Sequence, residues 1–205
     1  MARDMTPIVK RSRREKVALH PKAVKGMAKR PYGPGEHGQS SMRSKPSQFA
    51  LQLREKQKVK RIYGLLEKQF ARLVAEAERA SGVSGDTVLQ LLELRLDNAV
   101  YRLGLAPSRP SARQLVTHGH FTLNGRRVDI PSIKLKPGDE IKPRAASAGN
   151  VYFQAKTDEL KGSAPQVSWL SLDTGTLGFK VTGLPTRDDS DADISEQLII
   201  EFYSR

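Results

Sequence analysis

The apolar residues of this chain change their spacing once, and that change limits what it can fold into. Between Ser47 and Thr117 they recur every three or four residues, as on one face of a helix; beyond His120 they alternate, as on one face of a strand. The chain therefore reads as α+β, with helices first and a small, strongly turned sheet after them.

In the helical part, Ser47 is a plausible N-cap behind Pro46, and Phe49, Leu53, Lys56 and Lys60 follow at helical spacing until Tyr63-Gly64 interrupts. Leu65, Leu66, Phe70, Leu73, Val74 and Ala77 make a second stripe ending near Ser81-Gly82. A third helix is expected from an Asp86 cap through Val88, Leu89, Leu92, Leu96, Val100 and Leu103 to Gly104, and a short one from Ser111 to Thr117 with Leu115 and Val116 inward. In the strand part, Phe121 and Leu123 lead into Asn124-Gly125, a strong hairpin signal, and Val128 returns. Ile133 and Leu135 lead to Pro137-Gly138-Asp139 and then Ile141, so residues 96–144 read as a helix pair on a small sheet. After that come a helix over 150–161, a hairpin through Trp169, Leu170, Leu172, Phe179 and Val181, and an acidic loop from Pro185 to Asp193. Asp193 with Glu196 resembles a capping box for a terminal helix carrying Ile194, Leu198, Ile199 and Phe202.

Charge separates the beginning of the chain from the rest. Residues 1–62 hold 17 Lys and Arg against four acids, which is the whole formal excess of +13; the remainder is neutral overall. Pro7, Pro21, Pro31, Pro34 and Pro46 punctuate residues 1–45, which read as an extended basic arm without a core. Inside it, Arg30-Pro-Tyr-Gly-Pro-Gly-Glu-His-Gly38 alternates rigid and permissive residues, a composition suited to a fixed loop with an approachable backbone. An arm this basic repels itself unless a polyanion compensates it, which points to nucleic acid.

The His118-Gly-His120 pair invites a metal or catalytic reading, and the sequence argues against both. The chain has no cysteine, and the nearest other histidine is His37 in the arm, too few ligands for zinc. No Gly-x-Ser-x-Gly element, Walker loop or Gly-x-Gly-x-x-Gly fingerprint accompanies them, so no catalytic residue and no cofactor is expected. Their neighbours Arg109, Arg113, Gln114, Asn124, Arg126 and Arg127 instead suggest one groove. Guanidinium forks suit phosphate oxygens, while amide and imidazole groups suit base edges and ribose hydroxyls. Arg95-Leu-Asp97 resembles the catalytic triplet of pseudouridine synthases, but Asp97 is expected mid-helix in a surface ion pair, and the chain has no room for a synthase domain. No apolar run spans a membrane, and the first 20 residues lack an apolar core for secretion, so a cytoplasmic protein is expected.

The ordered set of motifs is more specific than any one of them. Lys29-Arg-Pro-Tyr-Gly-Pro-Gly-Glu-His-Gly38, Leu53-Arg-Glu-Lys-Gln-Lys58, Arg61-Ile-Tyr-Gly64, Arg95-Leu-Asp-Asn98, Tyr101-Arg-Leu-Gly104, Ala112-Arg-Gln-Leu-Val116, Asn124-Gly-Arg-Arg-Val128, Lys136-Pro-Gly-Asp139, Trp169-Leu-Ser-Leu-Asp173 and Ile200-Glu-Phe-Tyr-Ser-Arg205 follow one another along nearly the whole length. In this the chain resembles the small-subunit ribosomal protein S-four family. The resemblance implies a basic extended arm over 1–45, a helical domain over 46–94 and an inserted S-four-type RNA-binding module over 95–148. A C-terminal helix and hairpin region over 149–205 is expected to pack back on the helical domain.

The resemblance also implies a function. Family members bind the 5′ domain of small-subunit rRNA, nucleate assembly of the body, and with ribosomal protein S-five affect decoding accuracy beside the channel through which mRNA enters. Carried onto this sequence, the groove is Arg109, Arg113, Gln114, His118, His120, Asn124 and Arg126; the helical-domain contacts are Arg54, Lys56, Lys58 and Arg61; the loop contacts are Arg30, Tyr32 and His37. Many relatives hold zinc on four arm cysteines that begin with a Cys-x-x-Cys pair. Here that stretch reads Val9-Lys-Arg-Ser12, so no metal is expected, and the arm is expected to gain order only on RNA.

Overall fold

A computed structural model of the protein describes residues 4–40, 45–161, 167–191 and 193–204. It is α+β and divides into two compact units, residues 1–88 with 193–205, and residues 89–192.

The first unit is helical: α1 (Ile8–Glu15), α2 (Pro21–Lys29), α3 (Gln48–Ile62), α4 (Glu67–Arg79), the first turn of α5 (Ser84–Glu93), and α10 (Glu196–Tyr203). The Ser47 hydroxyl accepts the Ala50 N–H at 3.3 Å, as its cap position requires. Val59, Tyr63, Phe70, Val74, Ala77 and Ile199 are buried and form the core. The C-terminal helix α10 lies against α3 and α4: the rings of Phe49 and Phe202 stand 5.8 Å apart, and those of Phe70 and Tyr203 6.1 Å. The expected Asp193–Glu196 capping box does not form. Helix α10 starts with Ser195 as N-cap, whose N–H donates instead to Glu55 Oε1 at 2.8 Å, and the Asp193 carbonyl accepts from the Lys58 ammonium.

Residues 1–45 are not an extended arm throughout, because α1 and α2 form within them. The prolines that suggested irregular chain sit where helices begin: Pro7 is the N-cap of α1 and Pro21 the first residue of α2, positions where a missing N–H costs nothing. The two helices pack closely at Gly26, where any Cβ would lie 2.7 Å from a Val9 methyl.

The second unit carries the last turn of α5, then α6 (Leu96–Arg102), α7 (Arg109–Thr117), β1 (Phe121–Leu123), β2 (Arg126–Val128), β3 (Glu140–Pro143), α8 (Ala145–Ala148), α9 (Val151–Leu160), β4 (Leu170–Asp173) and β5 (Gly178–Val181). Its sheet is antiparallel in the order β2-β1-β3-β5-β4. Helices α6, α7 and α9 bury Val100, Ala112, Val116 and Phe153 in one core with Phe121, Ile141 and Phe179 of the sheet, joined by Leu103 just after α6 and Trp169 just before β4. The hairpin β4–β5 extends this sheet, since β3 offers β5 an unsatisfied edge and pairs Glu140 with Lys180 and Ile141 with Phe179.

The single helix expected from Asp86 to Gly104 is two. At Leu94-Arg95 the backbone leaves the helix to pair with the segment before Pro137: Leu135 N–H donates to Leu94 O at 2.9 Å and Leu96 N–H to Ile133 O at 3.0 Å. Asp97 consequently lies in the first turn of α6 rather than in mid-helix.

Candidate nucleic-acid interface

In the second unit, α7 starts at Ser108, whose hydroxyl caps it, with Pro110 in its first turn. It buries Ala112 and Val116 and leaves Gln114 and Thr117 exposed. The chain then turns at Gly119 (φ +69°) so that β1 runs back beneath it. A Cβ at Gly119 would lie 2.6 Å from Arg127 Nε, so the missing side chain is what lets that guanidinium lie over the turn. The exposed His118 ring stands 6.0 Å from that of His120. His120 is fixed from behind, its Nδ1 3.0 Å from Ser147 Oγ and its ring against the edge of Phe153. Burial, then the nearby His118 and Arg144, hold its pKa below the ordinary 6.5. Gln114, His118, Arg126 and Arg127 are thus all exposed on this helix, turn and hairpin.

Three other residues expected in the groove are engaged within the fold. Asn124 and Gly125 both have positive φ, +48° and +81°, as a type I′ turn demands. The Asn124 amide also donates to Asp139 Oδ1 at 2.8 Å, and its oxygen accepts Glu140 N–H at 2.9 Å, which ties this turn to the next. Arg113 Nη1 donates to Asp97 Oδ2 at 2.9 Å. Arg109 Nε donates to Asn98 Oδ1 at 2.9 Å, with its guanidinium 4.6 Å from the Tyr101 ring centre.

Asp97 is not the surface ion-pair partner the sequence suggested; it is buried, because the break in the helix turns it inward. Its Oδ1 accepts from Arg95 Nε at 3.1 Å and Asn98 N–H at 3.0 Å, and its Oδ2 from Arg95 Nη2 at 3.0 Å and Arg113 Nη1 at 2.9 Å. A carboxylate accepting four hydrogen bonds is a poor nucleophile.

In the first unit, Arg13, which the sequence did not single out, organises the glycine-rich loop. It donates to the carbonyls of Arg30, Tyr32 and Gly33 at 3.2, 3.0 and 3.1 Å, and lies 5.1 Å from the Tyr32 ring centre. Gly38 closes the loop on Gly33, whose oxygen sits 2.0 Å from where a Cβ would be. Arg13, Arg14, Lys16, Glu36 and His37 line a cavity of about 380 Å³ here, and Arg30 and His37 are exposed beside it. At the corresponding arm stretch Val9 packs on Gly26 and Ser12 donates to the Ile8 carbonyl, which is no chemistry for zinc. Among the described residues no group of three His, Cys, Asp or Glu side chains lies together as metal ligands.

The four basic residues expected as contacts from α3 divide differently from the expectation. Lys56 is turned inward, its side chain 6% exposed: its ammonium donates to Glu67 Oε1 at 2.7 Å and lies 4.5 Å from the Phe202 ring centre. Arg54 and Arg61 both donate to Glu15, whose side chain is fully buried. Burial raises the Glu15 pKa and outweighs the pull of Arg54, Arg61, Arg14 and Lys58. Lys58 is held by Glu55 at 2.8 Å. No sequence pattern signals that Lys56 is buried, because its partners Phe202 and Tyr203 lie at the other end of the chain.

Residues 3–93 match the family described as ribosomal protein S4/S9 N-terminal domain, and residues 94–141 match the S4 domain. Over their full lengths, the small ribosomal subunit protein uS4 of Heliobacterium modesticaldum is 47% identical to this chain, and that of Thermus thermophilus 48%. The uS4 of Clostridioides difficile is 53% identical over 87% of this chain and 84% of its own length. The chain belongs to the small ribosomal subunit protein uS4 family.

Proposed function

We propose that this structural, non-enzymatic constituent of the small ribosomal subunit is a primary binder of the 5′ domain of small-subunit rRNA that nucleates assembly of the body. The observation that carries this is the exposure of Gln114, His118, Arg126 and Arg127 on the helix, tight turn and hairpin of the S4 domain. Helix and hairpin cations neutralise phosphates, while Gln114 and His118 reach riboses and base edges. Arg54, Lys58 and Arg61, and in the loop Arg30, Tyr32 and His37, add phosphate and stacking contacts. Lys56 leaves the contact set because its charge is spent on Glu67. Asn124, Arg109 and Arg113 act partly by holding the surface in shape. In the particle the protein adjoins ribosomal protein S-five near the path of incoming mRNA and contributes to accuracy.

The test is affinity for a 5′-domain rRNA fragment against an unrelated RNA of equal length, at moderate and high salt. Each phosphate contact lowers log K against log salt by roughly 0.7–0.9. Preferential binding that survives moderate salt is expected; equal binding that collapses for both RNAs would sink the reading. Pseudouridine synthesis with Asp97 as nucleophile is the rival, and an RNA-modification assay losing activity in Asp97→Ala would favour it.

A further inference from the structure

Arg102 and Arg109 aim at the same carboxylate. Arg102 is anchored from inside, its Nε and Nη2 donating to the fully buried Glu93 at 2.9 and 2.6 Å, and its Nη1 meets Asp191 Oδ1 at 3.3 Å. Arg109 is anchored by Asn98 and the Tyr101 ring, and its Nη2 meets Asp191 Oδ2 at 3.3 Å. The arginine side chains are 13% and 15% exposed, but Asp191 is 37% exposed. Asp191 is thus the outermost acid of the network, and its bonds are longer than those on Glu93. Two guanidiniums held from behind and converging on two oxygens make a seat for any tetrahedral or planar oxyanion.

We propose that Arg102 and Arg109 form a phosphate seat of the RNA-binding module, and that Asp191 occupies it in the free protein as a stand-in that an RNA phosphate displaces. The proposal rests on the RNA-binding reading above. Two non-bridging phosphate oxygens present the same fork as the Asp191 carboxylate and carry the same single negative charge, here as part of a polyanion. Glu93 is buried and its bonds are short, so an incoming anion exchanges with Asp191 and leaves the inner layer in place. RNA is admitted to the seat only by competing with the protein's own acid, which disfavours weak, sequence-blind polyanion contacts there.

The experiment compares wild type, Asp191→Asn and Asp188→Asn for affinity to the 5′-domain rRNA fragment. Asp188 lies exposed on the same acidic stretch and serves as the charge control. Asp191→Asn is expected to tighten binding about two- to five-fold, the value of one exposed ion pair, and Asp188→Asn distinctly less. The gain is expected to vanish in an Arg109→Gln background. Equal gains from both substitutions, no gain, or a gain that persists without Arg109 would each overturn the proposal. Inorganic phosphate provides a second arm: NMR of the Arg102 and Arg109 Nε–H groups is expected to shift at lower phosphate in Asp191→Asn than in wild type. Identical titrations overturn the seat. If wild type fails to prefer the 5′-domain RNA, the RNA reading falls and the phosphate arm alone decides whether the seat exists.

Discussion

Glu93 and Arg102 form a two-pronged pair in the interior of the second unit, with Nε and Nη2 of the arginine 2.9 and 2.6 Å from the carboxylate oxygens. Glu93 also accepts the Asn98 amide at 2.7 Å, so it joins the end of α5 to α6. Removing the arginine leaves a buried carboxylate without its main counter-charge. Arg102→Met is therefore expected to destabilise this unit by about 3–5 kcal/mol, and adding Glu93→Gln to recover part of the loss. Urea unfolding of the single and double variants measures both, and an Arg102→Met loss under about 1 kcal/mol contradicts the assignment.

The Asn124 side chain joins two turns while its backbone stays left-handed, two roles that separate substitutions resolve. Asn124→Gly keeps the backbone freedom and loses both side-chain hydrogen bonds, whereas Asn124→Ala also adds strain at φ +48°. Expected costs are about 1–2 kcal/mol for glycine and about 1 kcal/mol more for alanine, read by thermal unfolding. If alanine proves no worse than glycine, the left-handed strain has been misjudged.

What the sequence made legible is what neighbours in sequence decide. Asn124-Gly125 fixes its own turn, Ser47 its own cap, and the switch of period its own strands. What stayed hidden depends on distant chain. The break at Leu94-Arg95 exists because residues 133–135 pair there, and Lys56 faces inward because Phe202 and Tyr203 return to cover it. The arm helices escape the sequence pattern for a local reason: proline reads as a breaker, yet here it starts each helix. Of the candidate site, the exposure of Gln114, His118, Arg126 and Arg127 agrees with what their polar and charged types suggest. The engagement of Arg109, Arg113 and Asn124 by Asn98, Asp97 and Asp139 was not legible, since nothing in spacing distinguishes an arginine that holds the fold from one that faces RNA.

Glu67 fastens the C-terminal helix. Burial alone raises its pKa, but hydrogen bonds from Lys56, Lys60 and Tyr203 outweigh that and bring it to about 2, against an ordinary 4.5. The folded state thus binds the proton less readily than the unfolded one. The stabilisation is full above pH 4.5 and is lost as pH falls from there toward 2. Glu67→Gln is expected to flatten the stability profile across that window and to lower stability at pH 7. Parallel profiles for variant and wild type would count against the clip.

His120 offers a test of the groove itself. Burial and the charges of His118 and Arg144 hold its pKa below 6.5, so in the free protein it is neutral at pH 7 and titrates late on acidification. Because the unfolded chain takes the proton first, this histidine costs stability as pH falls through 6.5 and below. An RNA phosphate brought to the His118–His120 edge reverses the balance by favouring the imidazolium, which raises the pKa on binding. Binding must then take up protons, and affinity must rise between pH 7.5 and 6 more steeply in wild type than in His120→Gln. Calorimetry in buffers of different ionisation enthalpy measures that uptake directly. Zero net uptake, or the same pH slope in His120→Gln, would mean that no RNA phosphate lies against the His118–His120 edge.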